Sequence, residues 1–176
     1  SERGWFLSSA NSINWGRLLP QIVYYFSAYC DYVNSGKIAM GDEINFCVPT
    51  GNFGNILAGW FAREMGLPVK RFLCASNANN VLTDFFNTGI YNKNRDFRMT
   101  ISPSMDILVS SNLERLLYML CGAEKTAGYM AQLSEEGRYD VGSETLERVR
   151  ALFAAECCDD DKTKAEIADV WEKSGY

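Results

Sequence analysis

The sequence lacks histidine entirely, and none of its six cysteines forms a C-x-x-C pair. Without histidine, the chain alone cannot build a Ser-His-Asp or Cys-His relay or a histidine-ligated zinc site. The cysteine spacing is unlike that of a disulfide scaffold, and most of the cysteines lie in apolar runs. We therefore expect reduced thiols, no metal site and a cytoplasmic protein.

An apolar stretch long enough to cross a bilayer is also missing. Charged and polar residues interrupt the most apolar segment, residues 13–33, which suits a buried helix better than a membrane span. The net charge of −5 argues against nonspecific binding to nucleic acid. We expect neither a membrane nor a nucleic acid among the partners.

Strand and helix signals alternate over residues 43–101, with short connections between them. Apolar, β-rich runs predict strands, and apolar residues at helical spacing predict helices. The predicted order is strand Ile44–Val48, helix Ile56–Met65, strand Val69–Cys74, helix Val81–Phe86, strand Phe97–Ile101 and helix Met105–Leu120. Such alternation predicts an α/β fold with a parallel sheet flanked by helices.

The C-terminal portion differs and is predicted to be helical. Leu146, Val149, Leu152 and Phe153 are spaced for one helical face, and Thr163 begins a capping-box pattern for a further helix. Residues 111–176 carry 8 basic and 14 acidic side chains, so this portion has an acidic surface. We expect residues 1–120 to form part of an α/β domain and residues 121–176 to be a helical, acidic segment of the same domain.

The most informative segment joins the first predicted strand to the next helix and reads Cys-Val-Pro-Thr-Gly-Asn-Phe-Gly-Asn-Ile at 47–56. Gly51 and Gly54 let the backbone approach a ligand closely and adopt a positive φ if needed. Successive amides at a helix start suit a phosphate dianion, and Asn52 and Asn55 add side-chain donors. A turn that uses glycine for geometry and asparagine for capping explains the same residues. The segment matches neither the Walker A nor the Rossmann motif.

Residues 50–55, Thr-Gly-Asn-Phe-Gly-Asn, resemble the cofactor-phosphate loop of threonine synthases, which are pyridoxal-phosphate (PLP) enzymes of fold type II. Three other segments resemble the same family in the same order. They are Ser-Ala-Asn-Ser-Ile-Asn-Trp-Gly-Arg at 9–17, Cys-Ala-Ser-Asn-Ala-Asn-Asn-Val-Leu at 74–82 and Ser-Pro-Ser-Met-Asp-Ile-Leu-Val-Ser-Ser-Asn-Leu-Glu-Arg at 102–115. The resemblance implies part of the PLP-binding large domain, present here as an internal fragment.

The family converts O-phospho-L-homoserine and water to L-threonine and phosphate. The resemblance therefore implies that PLP is the cofactor and that its phosphate is held by Gly51, Asn52, Phe53, Gly54 and Asn55.

The substrate brings a second phosphate, which needs an anion site of its own. The candidates are Ser12, Asn14 and Arg17, because a guanidinium can grip phosphate bidentately while hydroxyl and amide donors complete the shell. The alternative is structural: Arg17 caps a surface helix, and Ser12 and Asn14 are N-cap residues.

PLP chemistry requires a lysine that holds the cofactor covalently. The family places it in a Ser-Phe-Lys-Asp-like motif, and none of the seven lysines in this chain has that context. The resemblance thus implies a parent carbon–oxygen lyase acting on phosphates, and a fragment that is inactive alone. Truncation should also expose apolar surface, most of all along Ile22–Phe26, and so favour self-association.

Two other classes stay open. Another lyase of fold type II, such as a serine/threonine dehydratase or a cysteine synthase, uses the same cofactor, but residues 102–115 favour threonine synthase. A non-catalytic homologue that binds phosphate ligands, or serves as an interaction module, fits a phosphate loop without a lysine.

Overall fold

A computed structural model describes residue 4 and residues 13–175. It contains α-helices, short β-strands and a single turn of 3₁₀ helix within these residues. In chain order they are α1 (Trp15–Asn34), β1 (Ile44–Pro49), α2 (Gly54–Glu64), β2 (Val69–Ser76), α3 (Val81–Thr88), β3 (Ile90–Asn92), the 3₁₀ turn (Pro103–Met105), α4 (Leu113–Glu135), β4 (Arg138–Asp140), α5 (Gly142–Arg150), β5 (Phe153–Cys157) and α6 (Asp160–Ser174). None of the described helices is long and apolar enough to span a membrane.

Three strands form a parallel sheet in the order β1-β2-β5, which confirms the predicted α/β architecture. Phe46, Phe72 and Phe153 are aligned across the three strands, and their rings stack on one face. Helices cover this face: Tyr25 of α1 makes an edge-on contact with Phe46, and α2 lies close enough that a side chain at Gly59 would clash with Phe72. Burial of this aromatic row contributes to the stability of the sheet.

The third strand, β5, lies in the portion that was predicted to be helical. Phe153, which the spacing placed on a helical face, pairs with Phe72 of β2 instead and is almost fully buried. Its ring also stacks on Phe86 of α3, with centroids 5.5 Å apart. Leu146 and Val149 do lie in α5, which ends at Arg150. The prediction failed at Phe153 because a short apolar run fits a buried strand as well as a helix.

Two further predictions between residues 97 and 120 were wrong. Phe97–Ile101 is not a strand, because side chains rather than a neighbouring strand bind its backbone: Arg98 N–H donates to Asn79 and Thr100 N–H to Asp106. The helix predicted from Met105 begins only at Leu113, after the 3₁₀ turn.

The apolar surface predicted along α1 is only partly exposed. Val23 and Tyr24 are each 62% exposed, whereas Tyr25 is buried against the sheet. Leu19, one turn before Val23, extends the exposed strip at 53% exposure. The strip of Leu19, Val23 and Tyr24 is called the α1 strip below.

Candidate phosphate-binding site

The loop between β1 and α2 lies where the parallel strands end, which is the edge at which open α/β sheets bind ligands. The first residue of the loop is hydrogen-bonded to the neighbouring strand β2: Thr50 N–H donates to Ala75 O at 2.8 Å. The Thr50 hydroxyl donates back to Val48 O at 2.7 Å. The loop therefore begins from a rigid position, and residues 51–53 make the turn into the helix.

Phe53 carries the only positive φ of a non-glycine residue in the described part of the chain, at 63°. The sequence suggested that Gly51 or Gly54 would supply such a conformation if one were needed, but neither has a positive φ. The ring of Phe53 is only 1% exposed and packs on Phe86 and Phe153. Burial of the ring holds the backbone in this region, and a left-handed residue at a helix start helps consecutive amides to face one concavity.

Gly51 is required for a different reason, which is close approach to a second segment. A Cβ atom at this position would lie 3.0 Å from Ile107 Cδ1, 3.2 Å from Met105 Cα and 3.3 Å from Ser104 O. The loop is therefore packed against the segment Ser104–Ile107, with no room for a side chain between them.

Two carbonyl groups of the loop accept hydrogen bonds from residues that precede α4. The Ser110 hydroxyl donates to Gly51 O at 2.6 Å. Asn112, which is fully buried, donates to Asn52 O from its backbone at 3.1 Å and from Nδ2 at 3.0 Å. Sequence reasoning assigned no role to Ser110 or Asn112, although both lie in the segment 102–115 that carries the family resemblance.

The amides of the loop remain available for a ligand. Among the described residues, the backbone N–H groups from Gly51 through Ile56 have no hydrogen-bond acceptor. They border an open cavity of about 200 Å³ whose lining also includes Gln21 and Ser104. Six consecutive amides at the start of a helix, next to a polar cavity, are a candidate site for an anion of phosphate size, and this loop is called the cradle below.

Asn55 has a second role that the sequence did not reveal. Its side-chain oxygen accepts a hydrogen bond from Tyr25 at 2.8 Å, and its Nδ2 donates to Gln21 Oε1 at 3.0 Å. Tyr25 also donates to Asn55 O, and burial raises the pKa of this phenol well above its usual value, so it stays protonated. The Asn55 side chain thus links α1 to α2 and leaves its backbone amide for the cradle.

The predicted second anion site is less well defined. Ser12 lies outside the described residues. Asn14 is the N-cap of α1 and accepts a hydrogen bond from Gly16 N–H at 2.8 Å, as the structural alternative proposed. Arg17 is exposed on the first turn of α1, one turn before Gln21, whose Nε2 donates to the Arg17 carbonyl. Gln21 is therefore the residue that connects this turn to the phosphate cradle.

A polar network supports the segment against which Gly51 packs. The Asp106 carboxylate accepts hydrogen bonds from Thr100 N–H at 2.9 Å and Thr100 Oγ1 at 2.7 Å. It also accepts from Asn77 Nδ2 at 2.7 Å and Asn79 Nδ2 at 3.1 Å. The backbone hydrogen bond from Thr100 is the largest of the effects that lower the pKa of Asp106, and the side-chain donors act in the same direction. The network fixes residues 100–106 to the end of β2.

Neither a lysine nor a metal site accompanies the cradle. None of the seven lysines, all within residues 13–175, lines its cavity. No group of three or more cysteine, aspartate or glutamate side chains in the described chain is placed to hold a metal ion. The donors that the described residues offer at this site are therefore uncharged, most of them backbone amides.

The fold and the site together define an α/β protein with a parallel sheet flanked by helices and a candidate phosphate-binding loop after its first strand. No protein-family model matches the chain. Sequence similarity, however, is extensive: the chain is 47% identical over 180 residues to human threonine synthase-like 1 and 40% identical over 175 residues to Pseudomonas aeruginosa threonine synthase. These matches cover 99% and 98% of the chain.

Solved structures agree with the sequence comparison. The PLP-bound threonine synthase of Brucella melitensis superposes with a TM-score of 0.89 at 41% identity over 97% of the chain, and yeast threonine synthase gives 0.89 at 34% identity over 98%. The resemblance seen in the sequence is confirmed: nearly the whole chain is homologous to a segment of threonine synthases and threonine synthase-like proteins. It spans 24% of human threonine synthase-like 1 and 36% of the Pseudomonas enzyme.

Proposed function

We propose that this chain is the segment of a threonine synthase that holds the phosphate of PLP. The enzyme as a whole would convert O-phospho-L-homoserine and water to L-threonine and phosphate, as a carbon–oxygen lyase. The observation that carries the proposal is the run of six amides from Gly51 to Ile56 that have no acceptor among the described residues. The relative from Brucella melitensis, whose structure has PLP bound, supports PLP as the ligand.

Each residue of the loop has a defined part in this assignment. Gly51, Asn52, Phe53, Gly54 and Asn55 would donate backbone N–H groups to the phosphate oxygens, with the positive end of α2 behind them. When bound, PLP supplies the electron sink for chemistry at the substrate carbons. The protein would contribute by holding the phosphate through the backbone amides of this loop.

Ser12, Asn14 and Arg17 are proposed to bind the phosphate of O-phospho-L-homoserine. The support is their position on the chain: Arg17 lies one helical turn before Gln21, which lines the cradle. The guanidinium of Arg17 would hold that phosphate in a bidentate fork.

We also propose that residues 1–176 on their own bind PLP reversibly and do not catalyse the reaction. The absence of lysine from the lining of the cradle supports this proposal. Borohydride treatment of a PLP-saturated sample, followed by intact-mass measurement, should show no covalently added cofactor. A stoichiometric adduct at one lysine would contradict the proposal.

The cradle itself is tested by adding a single methyl group. Gly51→Ala places Cβ against the Ser104–Ile107 segment and must displace the loop, so we expect phosphate or PLP affinity to fall roughly tenfold or more, as for loss of one charge-assisted hydrogen bond. Gly128→Ala is the matched control, because nothing lies within 4 Å of a Cβ atom there. Equal affinity of the two variants for phosphate or PLP, measured by calorimetry, would contradict the assignment of this loop as the phosphate-binding site.

A non-catalytic homologue is the second candidate. Among the curated sequence relatives, those named threonine synthase-like 1 share 46–48% identity with the chain, whereas those named threonine synthase share 37–40%. Phosphate binding without L-threonine formation by a full-length protein that contains residues 1–176 would favour this candidate. Turnover of O-phospho-L-homoserine by that protein would exclude it.

Two properties of the isolated chain complete the proposal. All six cysteines are free thiols, which supports a reducing, cytoplasmic location. The α1 strip of Leu19, Val23 and Tyr24 supports self-association of the isolated chain, because contiguous exposed apolar surface favours contact between copies.

A further inference from the structure

The side chain of Gln21 reaches the cradle from a different helix. Among the described residues that line the cavity, Gln21 and Ser104 are the two that lie outside residues 49–56. Gln21 is partly buried on α1, opposite the loop. The cavity is small, about 200 Å³, so an anion held by the loop amides lies next to this side chain. Because a side-chain amide has a donor end and an acceptor end, its orientation decides whether it attracts or repels that anion.

The partners of Gln21 fix the orientation of its amide group. Nε2 donates to Arg17 O at 2.8 Å, and a carbonyl oxygen can only accept. Oε1 accepts from Asn55 Nδ2 at 3.0 Å. A reversed amide would bring the side-chain oxygen of Gln21 against the carbonyl oxygen of Arg17. The acceptor end of Gln21 is therefore directed at Asn55.

Tyr25 fixes the Asn55 side chain from its other end. The Tyr25 hydroxyl lies 2.8 Å from Asn55 Oδ1 and 2.9 Å from Asn55 O, and both of these atoms accept. Burial raises the pKa of this phenol, so it stays protonated and acts as the donor. The hydrogen bonds thus run in one direction, from Tyr25 through Asn55 to Gln21.

One donor of Gln21 is left over. A primary amide carries two N–H hydrogens, and Arg17 O accepts one of them. The other has no acceptor among the residues that the structure describes. It is available to an anion in the cavity that Gln21 lines.

We propose that Gln21 is a further phosphate ligand of the cradle, and that Tyr25 and Asn55 are positioning residues that keep its donor end available. The inference rests on the function proposed above, in which the loop holds the phosphate of PLP. Gln21 adds a charge-assisted hydrogen bond from α1 to those from the backbone of the loop. The phosphate is then held by two separate elements of the fold.

Gln21→Glu tests the donor with little change in shape. The carboxylate keeps an acceptor for Asn55 but replaces the donor with a negative charge, so affinity for inorganic phosphate should fall by roughly tenfold or more. Gln132→Glu makes the same change at an exposed position on α4 that does not line the cavity. It should alter the affinity by less than about twofold, because solvent and salt screen a distant charge. Calorimetry measures both affinities.

A pH series with sulfate separates a ligand from a merely structural residue. Sulfate remains a dianion between about pH 8 and about pH 5, whereas a glutamate side chain begins to take up protons at the acidic end of this range. Protonation of the introduced carboxylate restores a donor and removes the repulsion. The sulfate affinity of Gln21→Glu should therefore recover toward that of the parent chain as the pH falls. Gln132→Glu should follow the parent chain throughout.

The positioning role is tested by a double-mutant cycle. Tyr25→Phe keeps the ring that packs on Phe46 but removes the hydroxyl that orients Asn55. It should lower phosphate affinity about threefold in the parent chain and have no further effect in the Gln21→Ala variant, because Tyr25 acts through Gln21. A loss of stability alone would appear in both backgrounds, and urea denaturation of the same variants measures it.

The outcomes distinguish this inference from the function on which it rests. Equal phosphate affinity of Gln21→Glu and Gln132→Glu, in a chain whose binding is weakened by Gly51→Ala, overturns the role of Gln21 and leaves the proposed function standing. Additive effects of Tyr25→Phe and Gln21→Ala on affinity overturn the positioning role. A parent chain that binds neither phosphate nor PLP overturns the inference and the proposed function together.

Discussion

The ring of Phe53 packs on the ring of Phe153, with their centroids 5.8 Å apart. This contact joins the left-handed residue of the phosphate cradle to the third strand of the sheet. The conformation of the loop thus depends on a strand that follows it by about a hundred residues in the sequence. Substitutions in the core are therefore expected to change ligand binding as well as stability.

Phe53→Ala tests how much the buried ring contributes to the stability of the fold. Removal of a ring that is 1% exposed should lower the free energy of unfolding by about 3–5 kcal/mol, because transfer and cavity costs add. Urea denaturation followed by fluorescence measures the change. The matched control is Phe97→Ala, where the side chain is 56% exposed and the change should stay within about 0.5 kcal/mol. A similar loss of unfolding free energy in the two variants would show that the buried ring of Phe53 contributes no more to stability than an exposed ring does.

Replacing each of two neighbouring serines before α4 with alanine should have different effects on stability. Ser110→Ala removes the hydroxyl that donates to Gly51 O and should cost about 1 kcal/mol of stability, together with part of the phosphate affinity. Among the described residues the buried Ser111 hydroxyl has no hydrogen-bond partner, so Ser111→Ala should be neutral or stabilising. Thermal unfolding and phosphate titration of the two variants, side by side, check both outcomes. A greater loss for Ser111→Ala would contradict the hydrogen-bond assignment at Gly51.

The Asp106 network should give the chain an acid-sensitive stability. The pKa of Asp106 is lowered in the folded state, so this carboxylate stabilises the fold at pH values above its unfolded pKa. That contribution is lost as the pH falls through the folded pKa, because protonation removes an acceptor from Thr100, Asn77 and Asn79.

Asp106→Asn should therefore lower Tm near neutral pH and reduce the fall in Tm between neutral and acidic pH. Asp31→Asn, at an exposed position on α1, is the control and should leave the pH dependence unchanged. Calorimetry over a series of pH values makes the comparison. A pH profile of Asp106→Asn that matches the parent chain would show that the carboxylate contributes nothing.

The α1 strip predicts the behaviour of the isolated chain in solution. Val23→Lys with Tyr24→Lys places two charges on side chains that are each 62% exposed, so the fold should be retained while contact between copies weakens. Sedimentation velocity over a concentration series should show a shift toward the monomer. Met99→Lys, at a side chain that is 88% exposed and lies outside α1, should not produce this shift. A monomeric parent chain at all concentrations would contradict the proposed self-association.

The sequence by itself determined the features that depend on local signals. Short apolar runs, together with glycines at the turns between them, predicted the strands that begin at Ile44 and Val69 and the helix after Gly54. The structure confirms these three elements. The loop at residues 51–55 was found in the same way, because glycine and asparagine between a strand and a helix mark a place where amides can converge. The segment at 102–115 was recognised only by resemblance, without any physical role.

Only the tertiary structure decided what those residues do. Phe153 became a strand residue because β2 offers it a partner and the aromatic row buries it, and neither is visible in the local pattern. The positive φ fell on Phe53 rather than on a glycine, since a buried ring can hold a conformation that the isolated residue disfavours. Ser110 and Asn112 meet the loop across some sixty residues of chain, and such contacts exist only once the chain has folded. Local sequence thus specified where the loop between β1 and α2 forms, and long-range packing specified its geometry.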